Sequence, residues 1–306
     1  MNSKRIVIAG GSGFIGGALA REFLRRGFEV VVLTRSPRPR KDAVLETQWD
    51  AATGGPWTAK LDGADAVINL TGKNINCPHT PANLQDIAAS RMNSVNAIAA
   101  AIARTQTPPH VWIQAGAVGF YGATGDIARD ESAPAGGDAL AEICRQWEAA
   151  FAAANAPATR KVILRIGLVL GRDGGALPLL SSLTRWFLGG AVGSGKQYIS
   201  WVHLADLAAM FAAAVTDEKF SGVFNAVAPN AVTNAQFMRE LRRALHRPWN
   251  PPAPEFAVKL GAWLMGSDAS LALASQRCVP KKILAAGFRF QFTHLAAALN
   301  DLCGTG

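Results

Sequence analysis

Cysteine is scarce in this chain of 306 residues, and its four copies, Cys77, Cys144, Cys278 and Cys303, show no C-x-x-C spacing. That scatter argues against a zinc site or a disulfide framework and fits a reducing compartment. Long apolar runs are missing too: no stretch approaches the roughly 20 residues of a membrane span, and Leu207–Val215 is too short. The first strand-like segment begins at residue 5, which leaves no room for a signal peptide. A cytoplasmic location with no membrane partner is therefore expected. No basic run interleaves with aromatics, so nucleic acid is not expected as a partner. Internal repeats and low-complexity tails are absent, and the Ala-rich tracts reflect helix propensity.

Hydrophobic residues make up 49% of the chain and charged residues 17%, enough to bury a sizeable core. The formal charge of +9 is unevenly placed. Residues 1–150 hold 15 Lys/Arg against 14 Asp/Glu, and residues 151–306 hold 16 against 8. The basic half reads either as a solvated surface or as a pocket for an anionic cofactor and an anionic substrate.

The most informative segment is Ile6–Ala20, IVIAGGSGFIGGALA. Arg5-Ile6-Val7-Ile8-Ala9 has the β-branched run of a strand buried on both faces. Gly11, Gly13 and Gly16 satisfy G-x-G-x-x-G, and Gly10, Gly13 and Gly16 satisfy G-x-x-G-x-x-G. Glycine is needed because the turn has unusual dihedrals and any Cβ would hold a pyrophosphate off the helix N-terminus. Phe14, Ile15, Leu19 and Phe23 then supply a helical apolar stripe. A strand before and a helix after make this a dinucleotide site, with a plain glycine-rich turn as the alternative.

The second strand, Glu29-Val30-Val31-Val32-Leu33, ends in Thr34-Arg35-Ser36, where an NAD site would place Asp or Glu on the ribose. Arg35 instead offers an always-charged fork suited to a 2′-phosphate. Arg38, Arg40 and Lys41 add positive potential or form a solvated loop. NADP(H) is the expected cofactor, and no metal is expected.

Strand–helix alternation continues through Asp65–Leu70, Ile87–Arg104 (with Val95, Ile98 and Ile102 on one face), Val111–Gln114, Ala139–Ala154 and Lys161–Arg165. It implies a parallel sheet with helices on both faces and ligands at the strands' carboxyl ends. After Gly171 the rhythm breaks into a Gly- and Leu-rich excursion over 172–196. Trp201–Ala214 reads as a short strand leading into a helix, and Gly222–Val227 as a strand. From Pro229 the chain is mostly helical, with a cluster at Pro248, Pro251, Pro252 and Pro254 marking a linker or rigid loop.

The chain resembles the extended short-chain dehydrogenase/reductase superfamily, the NAD-dependent epimerase/dehydratases, and within it the atypical YfcH-like subgroup. The likeness rests on GGSGFIG at 10–16, LTR at 33–35, NLTG at 69–72, SR at 90–91 and AVGFYG at 117–122. It continues in CRQWE at 144–148, RIGLVLGRDGGAL at 165–177, GSGKQYISWVHLADL at 193–207, NAVAPNAVTNAQF at 225–237 and SQRCVPKKILAAGFRF at 275–290. The resemblance implies an α/β fold, a Rossmann-type doubly wound parallel sheet with a smaller, mostly helical C-terminal substrate domain. Residues 1–172 and 200–229 would form the NADP-binding part, and 173–199 and 230–306 the substrate side. By the same resemblance Leu70, Thr71 and Gly72 close over the cofactor, Asp86 and Arg91 lie near its ribose or phosphates, and Val169 lies near the nicotinamide. A surface pair without ligand is the alternative for Asp86 and Arg91.

The family's Tyr-x-x-x-Lys pair is missing. Tyr121 is followed four residues on by Gly125 and Tyr198 by Val202, and these are the only two tyrosines. Alignment with the superfamily places Leu140 and Cys144 at the tyrosine and lysine positions, and Ala115, Gly116 and Ala117 where a Ser or Thr stands. Tyr121, at the mouth of the expected pocket, is one candidate proton donor, or else it packs with Phe120. His203 is the other candidate, or else a hydrogen-bonded structural residue. Cys144 is expected to be a small buried hydrophobe, Asp206 to serve the helix start or packing, and Arg165 to pair with a carboxylate. The function expected is an NADP(H)-dependent oxidoreductase or epimerase-like enzyme acting on a small molecule, as a monomer or homodimer. The rival is a catalytically silent NADP(H) sensor or scaffold linked to cell division, as the resemblance implies for some relatives.

Overall fold

A computed structural model describes residues 4–264 and 266–304. In chain order the first half contains β1 (Arg5–Ala9), α1 (Phe14–Arg25), β2 (Glu29–Thr34), β3 (Leu45–Gln48), β4 (Ala66–Asn69), α2 (Pro81–Ile102), β5 (Val111–Ala117), α3 (Ala139–Ala153) and β6 (Arg160–Ile166). There follow β7 (Leu168–Gly171), β8 (Gly174–Gly175), α4 (Leu177–Arg185), β9 (Tyr198–Ile199), β10 (Trp201–His203), α5 (Leu204–Thr216) and β11 (Gly222–Ala226). The chain continues through β12 (Val232–Thr233), α6 (Asn234–Ala244), α7 (Glu255–Leu264), α8 (Ser270–Leu273), α9 (Lys281–Ala285) and α10 (Leu295–Cys303).

Seven strands form one parallel sheet in the order β11-β6-β5-β4-β1-β2-β3. This is the Rossmann-like α/β arrangement, with a mostly helical C-terminal region. The apolar runs are continuous because both sheet faces are covered. Ile6 and Ile8 point to a layer with Leu19 and Phe23 of α1 and Phe211 of α5, while Val7 and Ala9 point to one with Val95 and Ile98 of α2 and Trp147 of α3. Strand order reverses between β1 and β4, which opens a crevice at their carboxyl ends. A third cluster joins Trp201 and Leu177 to Phe237, Leu241 and Leu299 and so fastens α6 and α10 beside the sheet.

Some elements differ from expectation. The helix expected from Ile87 begins six residues earlier, because Thr80 caps it by accepting from Asn83 N and Pro81 takes the first turn. Strand β3, LETQ, lies at the sheet edge with no fully buried residue, so it carries no apolar signature. The excursion over 172–196 contains β8, which pairs antiparallel with β7, and α4. Among the described residues no helix is long and apolar enough to cross a membrane.

Candidate functional site

The β1–α1 turn is shaped by contacts that tolerate no Cβ. Gly10 has φ +75°, and a Cβ there would stand 3.2 Å from the Leu70 carbonyl carbon and Thr71 N across the crevice. A Cβ on Gly16 would run into the Gly11 backbone, so the helix can lie this close to the turn only as glycine. Gly13 differs: a Cβ there would meet only Gly10 O, at 3.6 Å. Its glycine is not required by the protein's own packing.

Gly13 is the N-cap of α1, yet no side chain caps this helix. The N–H groups of Phe14, Ile15 and Gly16, the first turn, have no partner in the helix itself. Phe14 also packs its ring onto Gly171, Gly174 and Gly175, where any Cβ on the first two would collide with it. That contact locks the helix start against the β7–β8 hairpin. Across the crevice Thr71 N donates to Asn69 Oδ1 at 3.0 Å. The Thr71 hydroxyl is buried without a hydrogen-bond partner. It lies beside Gly10, 3.2 Å from where a Cβ on that glycine would stand, and the uncapped helix N-terminus that follows the turn is a place for an anionic ligand.

At the end of β2, Thr34 is buried and its hydroxyl reaches Ser12 Oγ at 3.3 Å. Arg35 is exposed, and among the described residues no carboxylate lies within ion-pair reach of it. Arg40, by contrast, is held by Asp42 and Glu46 at 2.7 and 3.1 Å. Leu70 is half-buried and Gly72 exposed, with the Arg91 guanidinium 3.1 Å from where a Gly72 Cβ would stand.

Asp86 and Arg91 are not a pair. Asp86 binds Lys73 Nζ at 2.8 Å, and Arg91 Nη1 donates to the carbonyls of Lys73 and Ile87 at 3.0 Å each. The Arg91 guanidinium sits over the Trp147 ring. Both side chains thus brace the loop that follows β4. Val169, on β7 beside Val202 of β10, is almost fully buried, at 9% exposure.

Tyr121 is not at the mouth of a pocket; it is 3% exposed. Its hydroxyl donates to Asn225 Oδ1 and accepts from Arg165 Nη1, both at 2.8 Å. Burial pushes the phenol up to about 12, against the opposing pull of Arg165. Arg165 also forms a two-bond pair with Glu148 of α3 at 2.8 and 2.7 Å, and Phe120 stacks on its guanidinium at 3.5 Å. Asn225 in turn donates to Val279 O at 3.0 Å. The string from Glu148 to Val279 ties α3, β6, the turn after β5, β11 and the C-terminal segment together. Asn225 and Glu148 lie in the segments 225–237 and 144–148 quoted for the resemblance, but their roles were not legible there, since their partners lie far away along the chain. Cys144 is buried in α3, and burial pushes its thiol up to about 12.

His203 caps α5: its Nδ1 accepts from Ala205 N at 3.1 Å. Its ring stacks on Phe292 with centroids 3.9 Å apart. Nε2 lies 3.3 Å from Asp301 Oδ2, too poorly aligned for a hydrogen bond. Burial lowers the imidazole below its usual 6.5, outweighing Asp301 and Asp206, and the neutral ring is the form that can cap. Asp206 serves packing, accepting from Gln291 N and Phe292 N at 2.7 and 2.9 Å.

A pH effect follows. His203 binds its proton less readily folded than unfolded, so its contribution is complete above pH 6.5 and falls as pH drops from there through the lower folded value. The stability difference between the protein and His203→Asn, which caps without titrating, should shrink as pH falls from 7 to 5. Urea melts across that range measure it; a pH-independent difference would contradict the assignment.

The comparisons with known proteins agree with this architecture. The model of the NAD dependent epimerase/dehydratase family matches residues 6–226, and a domain of unknown function, DUF1731, matches residues 253–302. Epimerase family protein SDR39U1 of Bos taurus is 37% identical over 97% of this chain and 99% of its own length. Epimerase family protein YfhF of Bacillus subtilis is 34% identical over 97% of each chain. The crystal structure of human epimerase family protein SDR39U1 with NADPH superposes with a TM-score of 0.87 at 34% identity, covering 98% of this chain and 99% of that one. With its glycine turn, parallel sheet order and full-length relatives all in accord, the chain belongs to the NAD dependent epimerase/dehydratase family.

Proposed function

We propose that this protein binds NADP(H) at the carboxyl ends of β1, β2 and β4 and acts as an oxidoreductase or epimerase-like enzyme on a small molecule. The observation that carries the reading is the uncapped N-terminus of α1, behind a turn in which Gly13 is not required by the protein's own packing. In this reading the N–H groups of Phe14, Ile15 and Gly16 bind the pyrophosphate, and Gly10 and Gly13 leave it room. Thr34 and Arg35 take the adenosine end, with Arg35 forking onto the 2′-phosphate. Leu70, Thr71 and Gly72 form the opposite wall, held by Asp86 through Lys73 and by Arg91. Val169 lies at the nicotinamide end. The bound nicotinamide would supply or accept a hydride.

Tyr121 and His203 act here as positioning residues, because the hydroxyl of one and the ring nitrogen of the other are engaged inside the protein. The same closed geometry favours the rival reading, a sensor that holds NADP(H) without turning it over. Both readings share the cofactor site, so its test comes first. Arg35→Ala should weaken NADPH binding by about tenfold or more, the worth of a charge-assisted contact of about 1.5–3 kcal/mol, and leave NADH binding unchanged. Fluorescence titration with both nucleotides reads this out. Equal loss for both would remove Arg35 from the 2′-phosphate. Loss of hydride from bound NADPH on a panel of carbonyl compounds then separates enzyme from sensor.

A further inference from the structure

Exposed large apolar side chains collect in two segments, residues 186–188 and 249–263. Trp186 is 77% exposed, Trp249 65%, Phe256 74% and Trp263 73%, with Leu188 and Leu260 beside them in sequence. The two segments that carry them are fastened together. Ala253 pairs with Val192 as a parallel bridge, Gly193 N donates to Ala253 O, and Ala253 N donates to Ala191 O, both at 2.9 Å. On α7, Phe256, Leu260 and Trp263 recur at i, i+4 and i+7, so they form a single stripe. Soluble surfaces carry single exposed apolar residues, but a concentration of this kind marks an interaction site.

The charge carried by these segments and α6 is mostly positive. Residues 176–199 and 234–264 hold seven Lys/Arg and two acids, Glu240 and Glu255. Glu240 is already bound by Arg239 and Arg243. Arg247 stands over the Phe187 ring, which mixes cation and aromatic at the same spot. A second copy of this face would set like charges against each other. A phospholipid surface answers both features, since tryptophans settle at the headgroup level and basic side chains meet anionic headgroups.

We propose that the face built from α4, the loop after α6 and α7 docks on an anionic phospholipid surface, lying on it without crossing. The absence of a spanning helix among the described residues is consistent with that mode. α7 is held at both ends, by the Ala253 bridge and by Asp268, whose carboxylate accepts from His79 N at 3.2 Å. Docking would therefore bear on the loop after β4 that walls the crevice.

The test is vesicle flotation of the full chain, with tryptophan emission as a second readout. Vesicles of phosphatidylglycerol and phosphatidylcholine in equal parts should carry the protein and shift its emission to the blue. Pure phosphatidylcholine should carry far less, and high salt should release it. Phe256→Ser/Trp263→Ser should lose flotation, and Arg185→Gln and Lys259→Gln should each weaken it by about fivefold. Thermal melts confirm that each variant is folded. No flotation on the anionic vesicles, or flotation equal in the variants, overturns the proposal. So does a dimer, seen by light scattering, that the Phe256→Ser/Trp263→Ser variant fails to form.

Discussion

Gly13→Asp should abolish NADPH binding while leaving the fold at least as stable as before. The two effects have opposite signs because they act on different partners. Gly13 has φ −81° and ψ −179°, the extended conformation of an N-cap that any residue adopts. Its Cβ direction is open, so aspartate fits without displacing backbone. Aspartate is among the best N-caps, and it would satisfy an N–H that no side chain satisfies now. The same carboxylate would occupy the place of the pyrophosphate and repel it, a like-charge cost of several kcal/mol. Binding should fall by about 100-fold or more in a fluorescence titration, while the melting temperature holds or rises. Gly16→Ala gives the reverse pattern: a Cβ there meets the Gly11 backbone, so stability falls first. A Gly13→Asp protein that still binds NADPH at full strength would place the dinucleotide elsewhere.

The second large effect is on folding. Arg165→Met should destabilise the protein by about 3–5 kcal/mol, because it leaves the Glu148 carboxylate buried without its partner. The side chains of the pair are only 5% and 11% exposed, so solvent cannot screen the loss. Tyr121 would lose one of its two hydrogen bonds at the same time. Arg165→Met/Glu148→Leu removes both charges and should recover much of the loss. Chemical denaturation of the three proteins measures the difference. If the single and double variants lose equally, the cost lies in packing against Phe120 and Tyr121, and the ion pair carries little.

Much of this was legible in the residues. The apolar runs of β1 and β2 announced strands covered on both faces, and the glycine spacing announced a turn opening onto a helix. Arg165 was expected to meet a carboxylate, Cys144 to be a small buried side chain and Asp206 to serve packing, and each does so. The helix start at Thr80-Pro81 was missed in favour of Ile87, although a capping threonine before proline is a local signal. β3 was not legible, because an edge strand of LETQ buries too little to leave an apolar pattern.

Tyr121 shows where reading along the chain stops. Its place just past a strand suggested an open position, but Asn225, 104 residues away, and Arg165, 44 away, close around its hydroxyl. Glu148 and Asn225 lie in motifs that say nothing of their partners, and which of many carboxylates would face Arg165 depended on how α3 is laid against the sheet. The apolar stripe of α7 could equally have been core; its exposure is a consequence of where the loops at 190 and 253 join. Backbone needs such as a left-handed glycine, a cap or a two-faced strand act over a few residues, so the chain displays them in order. Burial and polar partnership are set by the sheet order and the helices laid across it, which bring distant residues together, and these appear only once the chain is folded.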